Sequence, residues 1–246
     1  MTSLDLNADL GEGLPGDEEL LSIVSSASIA CGGHAGDEIS MRIALRSAKA
    51  RGVRVGAHPG FADPEHFGRR RLLLPPEELD AQIRGQVSRL LELAAEEEIA
   101  VSYVKLHGAL ANMAAEIPAV SMVAFAAVAG LQQSLGILAI DNSAQVEVAD
   151  LLGFPVEREA YADRGYSADG LLLPRDQPGA VLHDPETIAE RAVRLARFGE
   201  IVAADGTIIA TAARSLCIHG DTPEAVAIAL AVRDALGKAG IAIAAP

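Results

Sequence analysis

Short apolar runs alternate along this chain with longer segments whose apolar positions recur at helical spacing. Runs at residues 4–9, 28–31, 53–58, 101–107, 136–141, 156–161 and 215–219 read as strands. Helical patterns fill the intervals. One follows Asp37, carries Ile39 and Ile43 on a face and stops at Gly52. A second follows Pro75 and Pro76, with Leu79, Ile83, Val87, Leu90 and Ala94 in register. A third follows Pro118 and uses Val120, Val123, Ala124, Ala127 and Val128, and Asn142 or Ser143 caps a fourth. Asp184-Pro185 and Thr222-Pro223 each set a good N-cap before a proline, which marks the starts of the last two long helices.

Repeated strand–helix units dictate a parallel sheet, either open and doubly wound or closed into a barrel. Seven strands in 246 residues fit a seven-stranded parallel β/α barrel, in the size range of the eight-stranded form. No linker or composition shift divides the chain, so residues 1–246 are expected to form one domain. Two long connections, residues 60–76 and 163–183, have the length of lids or binding loops. They carry Arg69, Arg70, Arg71, Arg164 and Arg175.

The strands are not uniformly apolar. A buried parallel strand should be apolar on both faces, yet side chains alternate so that Asp5, Asn7 and Asp9 share one face of the first. Arg54, Gly56 and His58 do so in the third, and Tyr103, Lys105 and His107 in the fourth. In the last, Ser215, Cys217 and His219 share a face, with Asp221 just beyond. Ionisable groups thus reach the C-terminal strand ends, where α/β folds build their sites. At the end of the second strand, Cys31-Gly-Gly-His-Ala-Gly-Asp37 delivers His34 and Asp37 to a glycine-rich corner.

Composition sets limits on what such a site serves. Fifty per cent hydrophobic and 22% charged residues describe a globular chain, and a net charge of −14 repels a phosphate backbone or anionic membrane overall. Cys31 and Cys217 sit in apolar runs and read as buried thiols. No basic leader or membrane-length apolar run is visible, so a cytoplasmic protein is expected. Asp9, His34, His58 and His219 have the ligand types for a divalent metal, although no local spacing such as His-Glu-x-x-His supports it. Without a metal, carboxylate and imidazole suit acid–base catalysis, and Lys105 suits an oxyanion or phosphoryl oxygen. Gly11-Glu-Gly-Leu-Pro-Gly16 spells G-x-G-x-x-G, but Asp17, Glu18 and Glu19 at the helix start would repel a pyrophosphate, and no P-loop is present.

Leu4-Asp-Leu-Asn-Ala-Asp-Leu-Gly-Glu-Gly13, Ile29-Ala-Cys-Gly-Gly-His-Ala-Gly-Asp37, Gly56-Ala-His-Pro-Gly60, Phe67-Gly-Arg-Arg70, Val104-Lys-Leu-His-Gly-Ala-Leu110, Ala162-Asp-Arg164, Pro174-Arg175 and Cys217-Ile-His-Gly-Asp-Thr222 occur in order, nearly end to end. Together they resemble the LamB/YcsF family, the A component of bacterial ATP-dependent 5-oxoprolinase. The resemblance implies a seven-stranded β/α barrel related to polysaccharide deacetylases. It also implies opening of the lactam of 5-oxo-L-proline to L-glutamate with ATP as co-substrate, accompanied by Mg2+, and B and C subunits as partners. Carried onto this chain, it implies a catalytic group of Asp9, His58, Lys105, His107 and His219. Substrate or ATP would meet Asn7, Glu12, His34, Asp37, Arg69, Arg70, Arg164 and Asp221.

That chemistry suits the residues. An unstrained lactam has a poor amine leaving group, and phosphorylation of its oxygen would supply activation. On this expectation Asp9 or a nearby histidine accepts a proton, and Lys105, with Arg69 or Arg70, pairs with the phosphoryl group. His58, His107 and His219 orient and shuttle protons. The chain departs from the family pattern at Gly33, Leu106 and Ala111, where bulkier or cyclic residues are usual, and these changes are expected to widen the pocket. Two other readings stand beside this one: a metal-dependent amidase or deacetylase acting alone, and a non-catalytic subunit that presents a lactam to partner enzymes. Self-association is left open.

Overall fold

In the computed structural model, residues 3–222 and 224–246 are described. Seven parallel strands close on themselves: β1 (Ser3–Leu10), β2 (Ser26–Ala30), β3 (Arg54–His58), β4 (Val101–Val104), β5 (Gly136–Ile140), β6 (Val156–Tyr161) and β9 (Ser215–His219). They pair in chain order, and β9 closes the ring by pairing with both β6 and β1. The expected seven-stranded β/α barrel is therefore present. A two-stranded antiparallel hairpin, β7 (Glu200–Val202) with β8 (Ile208–Ala210), and a short β10 (Ala242–Ile243) beside β1 complete the strands. These three short pieces lack a period-2 run long enough to stand out in the sequence.

Around the barrel lie α1 (Asp17–Leu21), α2 (Glu38–Arg51), α3 (Pro76–Glu96), α4 (Gly108–Glu116), α5 (Pro118–Ala129), α6 (Ala144–Leu151), α7 (Pro185–Phe198) and α8 (Ala225–Lys238). Their inner faces meet the outward strand residues, among them Leu4, Leu6, Ile29, Val55 and Val104, all buried. Each fully buried large aliphatic side chain there contributes about 1.5–3 kcal/mol. Helix α3 buries all five of its expected positions. Helix α2 does not follow the expected face: Ile39 and Ile43 are exposed, and Met41, Ala44, Leu45 and Ala48 are buried. Alanines let the helix lie close to the sheet, so the apolar face with the smaller side chains is the one that packs.

Helix starts follow local chemistry. Asp184 accepts a hydrogen bond from the Thr187 amide at 2.9 Å ahead of Pro185, as expected of an N-cap. Ser143 occupies the α6 cap position, but its hydroxyl donates to the Ile140 carbonyl instead. Helix α8 begins at Ala225, later than the Thr222-Pro223 signal places it, and Pro223 lies outside the described residues. Strand β4 stops at Val104, short of the expected residue 107. The extended path nonetheless continues, because the amides of Lys105 and His107 donate to Ala57 and Pro59 carbonyls at 2.9 Å. Among the described residues, no single helix is long and apolar enough to cross a membrane.

Candidate active site

The barrel interior is polar, and register explains how it is satisfied. Asp5, Asn7 and Asp9 on β1 stand level with Ser215, Cys217 and His219 on β9, and Glu159 and Tyr161 on β6 stand level with Ser215 and Cys217. Near the bottom, Asp5 accepts from the hydroxyls of Ser25 and Ser26 at 2.7 Å each, and from Ser215 at 2.5 Å. One layer up, the Asn7 amide donates to Ser215 at 2.8 Å and to Glu159 at 3.3 Å. Gly56 leaves room for the ring of Tyr103, which a Cβ would meet at 2.2 Å. Paired in this way, buried polar groups rigidify the floor instead of weakening it.

Lys105 is the centre of that floor. Its Nζ donates to Asp9 Oδ1 at 2.8 Å, Asn7 Oδ1 at 3.1 Å and Cys217 Sγ at 2.9 Å, and Glu159 Oε2 lies 3.3 Å away. Burial disfavours its charge, but Asp9, Cys217 and Glu159 outweigh that and hold the ammonium well above its ordinary value. Burial likewise pushes Asp9 up, and His58 with Lys105 reverses the effect, keeping Asp9 well below the carboxylate range. All three ammonium protons are thus engaged below the cleft, and Lys105 does not line it. Direct pairing with a transferring phosphoryl group, expected from sequence, does not match this placement.

Above the floor opens a cleft of about 400 Å³. Asp9, His58, His107, Tyr161 and His219 face it from the strand ends, and Arg69, Arg71, Arg164 and Arg175 face it from the two long loops. Asp163, just past β6, grips His219: the Nδ1–H donates to its two oxygens at 2.9 and 3.0 Å. Burial pushes Asp163 up, but the His219 ring and its hydrogen bonds leave it below the usual carboxylate range. Tyr161 stacks on His219 with centroids 5.2 Å apart. This clamp fixes the tautomer, so Nε2 is the free ring nitrogen, the arrangement of an oriented acid–base group.

A second group gathers under the loop after β3. His34, from the glycine corner after β2, stacks on His107 with centroids 3.5 Å apart. Glu12 Oε1 lies 3.1 Å from His34 Nε2, and His107 Nδ1 lies 3.0 Å from His58 Nε2. Burial pulls the His34 ring down to about 3, and burial together with His34 and His58 pulls His107 well down. Burial and the neighbouring Asp9 and Asp221 raise Glu12 well above the carboxylate range. The four expected metal ligands are split by this geometry. His34 and His58 stand with Glu12 and His107, whereas Asp9 and His219 stand with Cys217.

The remaining expected residues fall in different places. Asp221 pairs with Arg69 and stands 3.6 Å from Arg175 at the rim. Arg164 is buried and donates to the carbonyls of Ala180 at 2.9 Å and Leu173 at 2.7 Å. Arg70 points away, exposed beside Asp63 at 3.5 Å. Asp37 is exposed and caps α2, accepting from the Ser40 amide at 2.8 Å in a capping box, so it is not a wall of the cleft. Asp17 accepts from the Gly11 amide at 2.8 Å, occupying the glycine-rich loop with the chain's own carboxylate.

Glu159, Tyr161 and Asp163 were not singled out from sequence. Their signal was the same alternation, one polar face through Glu157, Glu159, Tyr161 and Asp163 of the sixth strand and its extension. Leu106 and Ala111 line the cleft, in keeping with a changed pocket, but Gly33 does not. A Cβ at Gly33 would meet Gln86 Oε1 at 2.2 Å, and Gln86 uses that space to bind Gly60, accepting from its amide at 3.1 Å and donating to its carbonyl at 2.7 Å. Gly33 therefore makes room for a brace, not for substrate.

Comparison with known proteins gives this site a setting. The chain is 46% identical over 249 residues to the A component of the 5-oxoprolinase of Azorhizobium caulinodans, covering 99% of this chain and 98% of that one. It is 45% identical over 247 residues to the corresponding 5-oxoprolinase component of Streptomyces avermitilis, covering 98% and 99%. The crystal structure of a lactam utilization protein from Thermus thermophilus superposes with a TM-score of 0.93 at 39% identity, covering 99% of this chain and all of that one. The LamB/YcsF family model matches residues 4–246, and the chain belongs to that family.

Proposed function

We propose that this chain is the lactam-handling subunit of an ATP-dependent 5-oxoprolinase, opening 5-oxo-L-proline to L-glutamate together with B and C subunits. One observation carries the reading. In a chain whose relatives bear that name, an oriented Asp163–His219 pair, the ionised Asp9 and three loop arginines, Arg69, Arg164 and Arg175, converge on one cleft. Its volume of about 400 Å³ falls in the range of small-molecule sites.

Phosphoryl transfer from Mg2+-bound ATP to the lactam oxygen makes a C–O–P bond and breaks the β–γ bridge of ATP, leaving ADP. The arginines balance the charge of the phosphorylated oxygen. His219 Nε2 removes a proton from a water that adds to the ring carbon, and the resulting imidazolium is stabilised by Asp163. Collapse breaks the C–N bond, the amine takes the proton back from His219, and a second water hydrolyses the acyl phosphate to glutamate and phosphate. Lys105 works through Asp9, keeping it ionised at the cleft floor.

The test is an assay of glutamate release and ATP consumption with 5-oxo-L-proline, using this chain with its candidate B and C partners. Asp163→Asn and His219→Ala should each lower the rate by at least about 100-fold, the lower range for loss of an acid–base group. Wild-type rates from both variants would refute the site assignment.

A further inference from the structure

The group formed by Glu12, His34, His58 and His107 has an imbalance of donors and acceptors. His58 Nδ1 lies 2.8 Å from the Lys105 carbonyl and His107 Nε2 lies 3.0 Å from the Phe67 carbonyl. A carbonyl only accepts, so both of these nitrogens carry protons. In the neutral rings, His58 Nε2 and His107 Nδ1 are then both lone pairs, and they face each other at 3.0 Å. Asp9 Oδ2 adds another acceptor 3.4 Å from His58 Nε2, and Glu12 Oε1 lies 3.6 Å from His107 Nδ1 and 3.1 Å from His34 Nε2.

One added proton satisfies a single contact in this group and leaves the others facing acceptors. A cation at the centre satisfies them together. Ligands bonded to one ion at about 2.0–2.1 Å stand about 2.9–3.4 Å apart at right-angle or tetrahedral geometry. The three close contacts, at 3.0, 3.1 and 3.6 Å, lie in or near that range. The ligand atoms all lie within 4.8 Å of one another, so the widest pair has only a short way to draw in. The outer hydrogen bonds of His58 and His107 to backbone carbonyls are those by which metal-binding imidazoles are oriented.

The surroundings hold the four side chains in place. A Cβ at Gly60 would stand 2.9 Å from His34 Nδ1, and one at Gly68 would stand 2.7 Å from His34 Cβ. The loop therefore lies directly on the stacked rings, and Gln86 braces it through Gly60. His34 Nδ1 is buried without a hydrogen-bond partner, so packing between His107 and Phe67 positions this ring.

We infer that Glu12, His34, His58 and His107 form a site for one divalent transition-metal ion. Three imidazoles and a carboxylate suit zinc, cobalt, manganese or iron and not magnesium, which prefers oxygen ligands and retained waters. Bound there, at the edge of a cleft lined by His58 and His107, such an ion supplies a Lewis acid toward a carbonyl or phosphoryl oxygen. The inference goes beyond the lactam reading and does not depend on it, since metal uptake needs neither substrate nor ATP.

The experiment strips the full chain with a chelator, removes the chelator and titrates cobalt(II), following visible absorption and bound metal by elemental analysis, with zinc as competitor. One cobalt per chain with the ligand-field bands of nitrogen coordination is expected, displaced by one zinc. His34→Ala, His107→Ala and Glu12→Gln should each weaken binding by at least about 10–100-fold, the cost of losing even an outer partner. His66→Ala and His183→Ala should leave it unchanged. No stoichiometric uptake, or uptake unaltered in folded His34→Ala and His107→Ala, overturns the inference. Should those variants fail to fold, nitrogen NMR of the wild-type imidazoles decides. His58 Nε2 and His107 Nδ1 should shift to metal-bound values with zinc, and a His58 Nε2 that stays protonated overturns the assignment.

Discussion

The ammonium of Lys105 touches Asp9, Asn7 and Cys217 and has Glu159 beside it, all buried. Lys105→Met would strand two carboxylates without their cation, which costs about 3–5 kcal/mol for a broken buried pair. Urea unfolding at neutral pH should show that loss, and the gap to wild type should narrow in acid, where the stranded carboxylates take up protons. Asp163 gives a second test with a definite sign. Burial raises its pKa, the His219 pairing more than compensates, and the folded value lies below the ordinary one. A depressed carboxylate contributes stability above its unfolded pKa of about 3.9 that is lost as pH falls through the folded value. Asp163→Asn should therefore be less stable than wild type at pH 6–7, with the two unfolding curves converging at the acid end. A constant difference across that range would show that the carboxylate charge contributes nothing.

Loop and helix act together around the glycine corner. Gln86 of α3 holds Gly60 through two hydrogen bonds, and Gly33 leaves the space it occupies. Gly33→Ala should push Gln86 off Gly60 and destabilise the protein by about 1–3 kcal/mol, the range for overpacking a filled site. It should also weaken cobalt uptake, since the same loop lies on His34 and His107; unchanged stability and uptake would remove the brace from the account. Gly52, at the end of α2, has φ 66° and nothing near a Cβ. Gly52→Ala should cost about 1 kcal/mol by urea unfolding through backbone conformation alone and leave the site untouched.

At this scale the sequence was most legible where period and punctuation agreed. The seven barrel strands and α3 followed from alternation, helical spacing and the Pro75-Pro76 start. Ile39 and Ile43 misled because helical spacing names an apolar stripe without saying which stripe meets the sheet, and alanines won through close approach. The residues past strand ends were harder. Asp37 and His34 share one corner in sequence, but only the fold shows the first capping a helix and the second stacked on His107. Lys105 was legible as a site residue and not as a buried one, because burial at a strand end depends on what closes over it.

For the whole molecule, barrel closure turns separate polar faces into one site. Pairing of β1 with β9 brings Asp9 level with His219 from opposite ends of the chain, and two loops add arginines above them in a chain of net charge −14. Local positive charge within an acidic molecule favours a small anion over a polyanion. The lactam assignment is tested most directly by glutamate release from 5-oxo-L-proline by purified chain, with and without candidate B and C subunits and Mg2+-ATP. The account predicts release only from the complete mixture, one ADP formed per glutamate, and loss of both products with His219→Ala. Glutamate release undiminished by His219→Ala, or no release from the complete wild-type mixture, would contradict it.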